Sequence, residues 1–323
     1  MKLLANLVPN ILLRSLKRQK YHFVGKHSAV KRCKWFYESL VGERACYKQK
    51  FYGISSHRCI QMTPSLYYCT QQCLFCWRAQ SGDLQIGWDE MQLPTWDYPD
   101  EIVDGILEAQ NKILSGYAGN PKTIPEKFQE ALSPKHVAIS LTGEPTLYQR
   151  LNDLLDTLHK RKLTTFLVTN GTLPGQISML EEEPTQFYLS VCAPNKQVFK
   201  RVCRPQIDNA WIKLNETMEL LPSLSCPTAI RITLVGGYNM QDVNGYAKSV
   251  EKAQPTYIEA KAYMHIGYSS LRLGFNNMPE HKEVINFANE LADKTGYKII
   301  NQSVQSRVVL LSKRKHPIRF DSK

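Results

Sequence analysis

Cys69, Cys73 and Cys76 stand in a CxxxCxxC run, with Phe75 directly before the last of them. Three thiolates on one short loop can hold three irons of a cubane 4Fe-4S cluster and leave the fourth iron without a protein ligand. Zinc and disulfides are the competing chemistries. Zinc needs a fourth donor and usually pairs its cysteines as two CxxC units. The chain has nine cysteines, an odd number, and six of them lie between Cys33 and Cys76. That clustering favours metal ligation over a disulfide framework.

Upstream, Cys33, Cys46 and Cys59 follow one another at intervals of thirteen residues. Isolated cysteines are commonly small buried hydrophobes. These are flanked by Lys34-Trp35-Phe36-Tyr37 and Tyr47-Lys48-Gln49-Lys50, a poor composition for a core. A second three-cysteine cluster is therefore a reasonable hypothesis, although long gaps are no ligand signature by themselves. Cys192, Cys203 and Cys226 read as structural.

Short β-rich runs must carry these loops. Strands are expected near Thr63–Tyr67, Val137–Thr142, Thr165–Thr169, Phe187–Val191, Ile230–Val235 and Tyr257–Met264. Several are almost continuously apolar, as strands covered on both faces are. Tyr98–Leu114, Leu151–Lys160 and Trp211–Leu221 have helical apolar spacing. About six strand–helix units imply an α/β chain whose parallel sheet curls into a partial barrel, short of a full eight-unit one. Working groups in such barrels sit at the C-terminal ends of the strands. There lie Thr142-Gly143-Glu144-Pro145, Asn170, Ser190 and, on the fifth strand, Arg231. Gly143 permits close backbone approach, and Glu144 can accept hydrogen bonds from an ammonium group. Asn170, Ser190 and Arg231 could equally cap helices or satisfy turns.

The charge balance is +12 and uneven. Nothing acidic precedes Glu38, while Arg14, Lys17, Arg18, Lys20, Lys26, Lys31, Arg32 and Lys34 crowd the start. Such a patch attracts phosphates by counterion release; a solvated basic face is the plainer reading. Met1–Leu13 is apolar but interrupted by Asn6, Pro9 and Asn10, and reads as a short helix or docking arm. No run approaches membrane-spanning length, so a cytoplasmic protein with no membrane contact is expected.

The cysteine run and the Gly-Glu-Pro turn resemble the radical S-adenosylmethionine (SAM) superfamily, with Thr142 in place of the first glycine of its GGEP motif. Further blocks narrow the resemblance: Cys46–Ile54, His57–Pro64, Cys76-Trp77-Arg78, Ser140–Pro145, Phe166–Thr172, Pro184–Tyr188, Arg231–Val235, Ile258–Met264 and Asn277-Met278-Pro279. Together they are similar to the archaeal-type tRNA 4-demethylwyosine synthases, and the match runs from about Cys33 to Leu311.

The resemblance implies a partial (β/α)6 TIM-like barrel of the radical SAM type with N- and C-terminal extensions. It divides the chain into a basic region with the upstream cysteines (1–56), the barrel (57–265) and a C-terminal extension (266–323). It implies SAM and two 4Fe-4S clusters, one on Cys69, Cys73 and Cys76 and the other on Cys33, Cys46 and Cys59. Phe75, Thr142, Gly143, Glu144, Asn170, Ser190 and Arg231 match the SAM-binding positions. The implied reaction condenses N1-methylguanosine, beside the anticodon of phenylalanine tRNA, with two carbons of pyruvate. Pyruvate would chelate the open iron of the second cluster or form a Schiff base with Lys48. The methylated base would be flipped out to reach the site, with Trp77, Tyr67, Tyr68 and Trp35 as stacking candidates. Eukaryotic relatives carry a flavodoxin-like domain before the cysteines, for which this length leaves no room, so an external ferredoxin or flavodoxin and a monomeric enzyme are expected. The alternatives are a radical SAM enzyme with another substrate, which has no need of the upstream cysteines, and a non-enzymatic metal-containing RNA-binding module.

Overall fold

A computed structural model describes residues 9–80, 82–83 and 95–321. Its strands form one ten-stranded sheet: β1 (Tyr21–Val24), β2 (Ser28–Lys31), β3 (Cys59–Thr63), β4 (His136–Ile139), β5 (Thr164–Thr169), β6 (Gln186–Ser190), β7 (Thr228–Leu234), β8 (Tyr257–Ala262), β9 (Lys298–Ser303) and β10 (Val308–Ser312). The order is β1-β2-β3-β4-β5-β6-β7-β8-β10-β9. The six strands from β3 to β8 pair in parallel with their sequence neighbours, which is the expected six-unit barrel. The hairpin β1–β2 extends it antiparallel at one edge, and β10 with β9 at the other.

The helices are α1 (Asn10–Arg18), α2 (Lys34–Leu40), α3 (Tyr47–Tyr52), α4 (Pro99–Ser115), α5 (Pro125–Ala131), α6 (Leu151–Lys160), α7 (Pro174–Ser178), α8 (Lys196–Cys203), α9 (Ala210–Leu220), α10 (Val243–Ala253) and α11 (His281–Thr295). Residues 1–8 of the apolar start lie outside the described residues. No described helix is long and apolar enough to cross a membrane.

Alternation along the strands builds two cores, because successive side chains point to opposite faces of a sheet. Leu167, Phe187, Leu189, Ile230, Ile232, Ile258 and Ala260 pack outward against the helices. Their neighbours Phe166, Tyr188, Ala229 and Tyr257 point to the other face and pack with Tyr47, Phe51 and Tyr52 of α3. Helix α3 therefore plugs the interior of the barrel, which places Lys48 inside it.

The first barrel strand runs Cys59–Thr63, and not Thr63–Tyr67 as the sequence suggested. Pro64 has no N–H for a sheet ladder, and Tyr67 adopts φ 78°, so the chain turns there. The other five expected strands, and the three expected helices, fall within a few residues of their places.

Candidate active site

The cysteine loop crosses the top of the barrel and is tied down at both ends. At its start, the Gln72 and Leu74 amides donate to the Arg204 and Val202 carbonyls (3.1 and 2.9 Å), and the Gln206 amide donates to Thr70 (2.8 Å). At its far end, the Tyr268 amide donates to the Trp77 carbonyl (3.1 Å). Arg272 clamps the middle: Nε donates to the Leu74 carbonyl at 3.2 Å, Nη2 to the Cys76 carbonyl, and Nη1 pairs with Asp83 at 2.5 Å. None of the nine cysteines is in a disulfide, and all six of the sequence-predicted ligands are partly buried.

Glu144 hangs over this loop as a fixed acceptor. Its Oε1 takes hydrogen bonds from the Thr146 amide (3.1 Å), the Thr146 hydroxyl (2.7 Å) and the Thr169 hydroxyl (2.6 Å), and its Oε2 from the Asn170 amide (2.7 Å). Burial pushes its carboxyl above the usual range, and these four donors oppose that shift. Gly143 makes the approach possible. Its φ is +73°, and a Cβ there would lie 1.9 Å from the Ser65 carbonyl oxygen. Asn170 Nδ2 reaches both Thr70 Oγ1 (2.9 Å) and Cys69 Sγ (3.7 Å), so the end of β5 supports the cysteine loop directly. Thr142 lends its carbonyl to the Thr63 hydroxyl. Phe75 packs with Val235, Tyr263 and Leu273. Ser190 is in register with Arg231 on the neighbouring strand.

Cys33, Cys46 and Cys59 lie close enough to feel one another's charge. Cys33 precedes α2, Cys46 precedes α3, and Cys59 opens β3. Burial pushes the Cys46 thiol up to about 11 and Cys59 up to about 12, and each feels the charge of Cys33. Backbone amides of Trp35 and Phe36, of Lys48, and of Ala138 are hydrogen-bonded to Cys33, Cys46 and Cys59 respectively. Amide donors aimed at sulfur suit a thiolate-ligated iron–sulfur cluster. Among the described residues no three His, Cys, Asp or Glu side chains converge on a single metal ion. A cubane does not require that, because each thiolate binds a different iron. Both trios therefore fit a cluster in donor chemistry. Arg78 is buried and feels the charges of both Cys76 and Cys33, its guanidinium stacked 3.1 Å over the Trp77 ring.

Lys48 enters the interior beside the second trio, its Nζ 4.1 Å from the Tyr188 ring centre and 4.6 Å from that of Phe166. Burial, then the nearby Arg231, bring its amine down to about 8. Arg231 was expected at SAM. Its guanidinium points to the Lys48 side, where Nη2 donates to Glu259 (2.8 Å) and to the Tyr47 hydroxyl (2.7 Å). Glu259 also accepts from Tyr47 (3.0 Å) and Tyr52 (2.8 Å). Burial raises its carboxyl, but Arg231 and Lys48 outweigh burial and hold it below the usual range. The Tyr188 hydroxyl is buried with no hydrogen-bond partner among the described residues. Sequence reasoning missed Glu259, Tyr188 and Arg272. A glutamate in the otherwise strand-like Tyr257–Ala262 was the one available signal.

The stacking candidates divide. Tyr67 and Tyr68 are buried, whereas Trp35 and Trp77 are partly exposed next to Lys34 and Lys31. Cys192 and Cys203 are buried, Cys203 lies close enough to Cys73 to perturb it, and Cys226 lies apart beside Glu183.

A family model for the radical SAM superfamily matches residues 63–250, and one for wyosine base formation matches residues 252–313. The chain is 47% identical to the S-adenosyl-L-methionine-dependent tRNA 4-demethylwyosine synthase of Pyrococcus abyssi, over 94% of this chain and 89% of the relative. It is 41% identical to that of Methanocaldococcus jannaschii, over 94% and 96%. A solved structure of TYW1 with a lysine-pyruvate adduct bound matches with a TM-score of 0.86 at 38% identity, covering 98% of this chain and 99% of that one. The chain thus belongs to the tRNA 4-demethylwyosine synthases, radical SAM enzymes that use S-adenosylmethionine and a 4Fe-4S cluster.

Proposed function

We propose that this synthase joins N1-methylguanosine of phenylalanine tRNA to two carbons of pyruvate, with pyruvate held on Lys48. Cys69, Cys73 and Cys76 would ligate the SAM cluster, and Cys33, Cys46 and Cys59 a second one. Bound on the first trio, cluster and SAM supply a 5'-deoxyadenosyl radical after one-electron reduction. Glu144, locked by four donors, presents its carboxylate to the SAM amino group, and Gly143, Thr142, Asn170, Ser190 and Phe75 shape the space around it. Asn170 keeps its hydrogen bond to Cys69, which fixes the loop relative to that carboxylate.

The Lys48 side supplies the second reactant. The neutral amine adds to the pyruvate carbonyl and water leaves, giving a Schiff base that holds the carbonyl carbon in place. A hydrogen atom would pass from the guanosine N-methyl group to the deoxyadenosyl radical, and the resulting carbon radical would bond to that carbonyl carbon. The bond to the carboxyl carbon would break, with the carboxylate leaving as the carrier of the unpaired electron, and attack by the guanine exocyclic amine would close the ring and free the Lys48 amine. The observation that carries this reading is the group of polar atoms around Lys48. The Tyr188 hydroxyl is buried and unpartnered, on the ring whose centre lies 4.1 Å from the amine, and buried polar groups in folded proteins are almost always satisfied. A bound pyruvate oxygen would satisfy it. The lysine-pyruvate adduct of the TYW1 structure supports the same chemistry.

The test is nucleoside mass analysis after anaerobic incubation of tRNA bearing N1-methylguanosine with the reconstituted protein, SAM, pyruvate and a strong reductant. A tricyclic base carrying pyruvate-derived carbon is expected. An unchanged nucleoside alongside released 5'-deoxyadenosine would overturn the substrate assignment. Borohydride added with pyruvate should leave a covalent adduct on the Lys48 peptide. Turnover without that adduct would refute the Schiff base in favour of pyruvate chelated at the second cluster.

A further inference from the structure

The wall of the barrel behind the cysteine loop has a basic hollow that the chemistry above does not use. The stretch Val202–Gln206, at the end of α8, holds the start of the loop through the Leu74, Gln72 and Gln206 amide bonds, and Gln71 forms a bridge with Pro205. Within it the Cys203 thiol lies close enough to Cys73 for the two to perturb each other, and Gln71, which bridges to Pro205, accepts from Cys73 Sγ at 3.2 Å, so this segment reaches a candidate cluster ligand through neighbouring side chains. The same segment helps to line a hollow of about 590 Å³, formed also by Lys196, Lys200, Trp211 and Ile212. Lys196, Lys200 and Arg204 are exposed, and none is in an ion pair among the described residues, although Asp208 also lines the hollow. Ile212 is 50% exposed, and Trp211 packs on Phe199 with ring centres 5.4 Å apart. Unpaired cations around an aromatic and aliphatic centre are the anatomy of a protein-docking patch.

We propose that this hollow docks a small acidic protein that carries one electron to the SAM cluster. The inference rests on the reading above, in which that loop holds a reducible cluster. The carrier arrives reduced and leaves oxidised by one electron; the cluster gains that electron, and no bond to the protein forms or breaks. Acidic groups on the carrier complement Lys196, Lys200 and Arg204, which steer encounter more than they add affinity. The position separates this surface from the RNA. The hollow belongs to the β6–β7 crossover, in the middle of the strand order. Lys31, which lies 5.1 Å from the ring of Trp77, comes by contrast from the β1–β2 edge. Single-stranded RNA calls for open aromatic faces among cations, and the Trp211 ring is already packed on Phe199.

The test compares the wild type with the double variant Lys196→Glu, Lys200→Glu, both on the exposed face of α8. Reduced ferredoxin and reduced flavodoxin are each titrated calorimetrically over a range of salt, and each is used, beside Ti(III) citrate, to drive 5'-deoxyadenosine formation. For the carrier that binds, the variant should weaken affinity by about tenfold or more and flatten its salt dependence. Carrier-driven kcat/KM should fall in parallel, while the Ti(III)-driven rate and the affinity for tRNA stay within about twofold. Unchanged carrier affinity would overturn the proposal, as would failure of both carriers to bind the wild type. A loss of tRNA affinity in place of carrier affinity would make the hollow an RNA surface and overturn it too. Absence of 5'-deoxyadenosine from the wild type with Ti(III) would instead defeat the proposed function, and the calorimetry would still decide the docking.

Discussion

Glu259→Gln is the sharpest test of the polar network inside the barrel. The wild-type carboxylate is fully buried and meets four donors: Tyr52 at 2.8 Å on Oε1, with Tyr47 at 3.0 Å and Arg231 at 2.8 and 3.1 Å on Oε2. Glutamine keeps the shape and one acceptor oxygen, so most of the hydrogen bonds can be rebuilt. The charge cannot, and Arg231, with a side chain only 18% exposed, is left without its counter-ion. Breaking a buried pair by removing one partner costs about 3–5 kcal/mol. The retained amide and the partial exposure of Arg231 place this case at the lower end, at about 3 kcal/mol. Against a total stability of roughly 5–15 kcal/mol, that is a large loss. The assay is anaerobic urea unfolding of the cluster-loaded protein, followed by tryptophan fluorescence, on Glu259→Gln, Arg231→Gln and the double variant. The double variant should be less destabilised than the sum of the singles by about 2 kcal/mol or more, because the second change removes the stranded charge. Additive singles, or a Glu259→Gln loss below about 1 kcal/mol, would refute the reasoning.

The remaining predictions concern Gly143, the upstream cysteine trio and a buried histidine. Gly143→Ala should cost about 4 kcal/mol and abolish SAM binding, since its Cβ would sit 1.9 Å from the Ser65 carbonyl and 2.6 Å from the Tyr68 carbonyl that Glu144 uses. Gly175→Ala, with nothing within 4 Å, is the matched control, expected to be neutral in the same thermal-shift and SAM-binding measurements. Replacing Cys33, Cys46 and Cys59 together by alanine should leave about half of the roughly eight irons of a two-cluster protein; a full complement in iron analysis would remove the second cluster. His136 accepts from the Ser55 amide (3.1 Å) and is buried, and burial lowers its imidazole to about 4. The folded protein then binds fewer protons than the unfolded chain between about pH 4 and 6.5, so stability falls as pH drops through that window, by up to about 1.4 kcal/mol per pH unit. His136→Asn should flatten this slope in urea midpoints measured against pH, and an unchanged slope would contradict it.

What the sequence revealed, and what it hid, follows from whether the deciding contacts are local. The CxxxCxxC loop and the Gly-Glu-Pro turn are short-range signals, and the structure places them against each other through the Glu144 amide and the Tyr68 carbonyl (2.7 Å). The five barrel strands that were legible are buried on both faces and read as apolar runs. β3 was misplaced because its residues alternate Cys59, Gln61 and Thr63 with Ile60 and Met62, so an interior lined with polar groups broke the apolar pattern. The hairpin β1–β2 went unread because its turn lies in the basic stretch that drew attention to charge instead. Gly25, at φ +55°, was its only turn signal of the glycine type.

Arg231 shows the limit most clearly. Its place on a barrel strand was legible, but its direction was not, because the charge that orients it comes from Glu259 on the next strand. The register Arg231↔Glu259 sets those two residues side by side across 28 positions of sequence. Only the fold supplies that adjacency, and with it the reason that Lys48, Tyr47, Tyr52 and Tyr188 form one polar interior. The same separation in sequence explains Arg78. It follows the first cysteine run by two residues, yet its second neighbour, Cys33, lies 45 residues earlier. A buried cation that feels both Cys76 and Cys33 links the two cysteine-bearing segments electrostatically. The barrel thus carries two buried carboxylates in separate polar settings, Glu144 held by Thr146, Thr169 and Asn170, and Glu259 held by Tyr47, Tyr52 and Arg231.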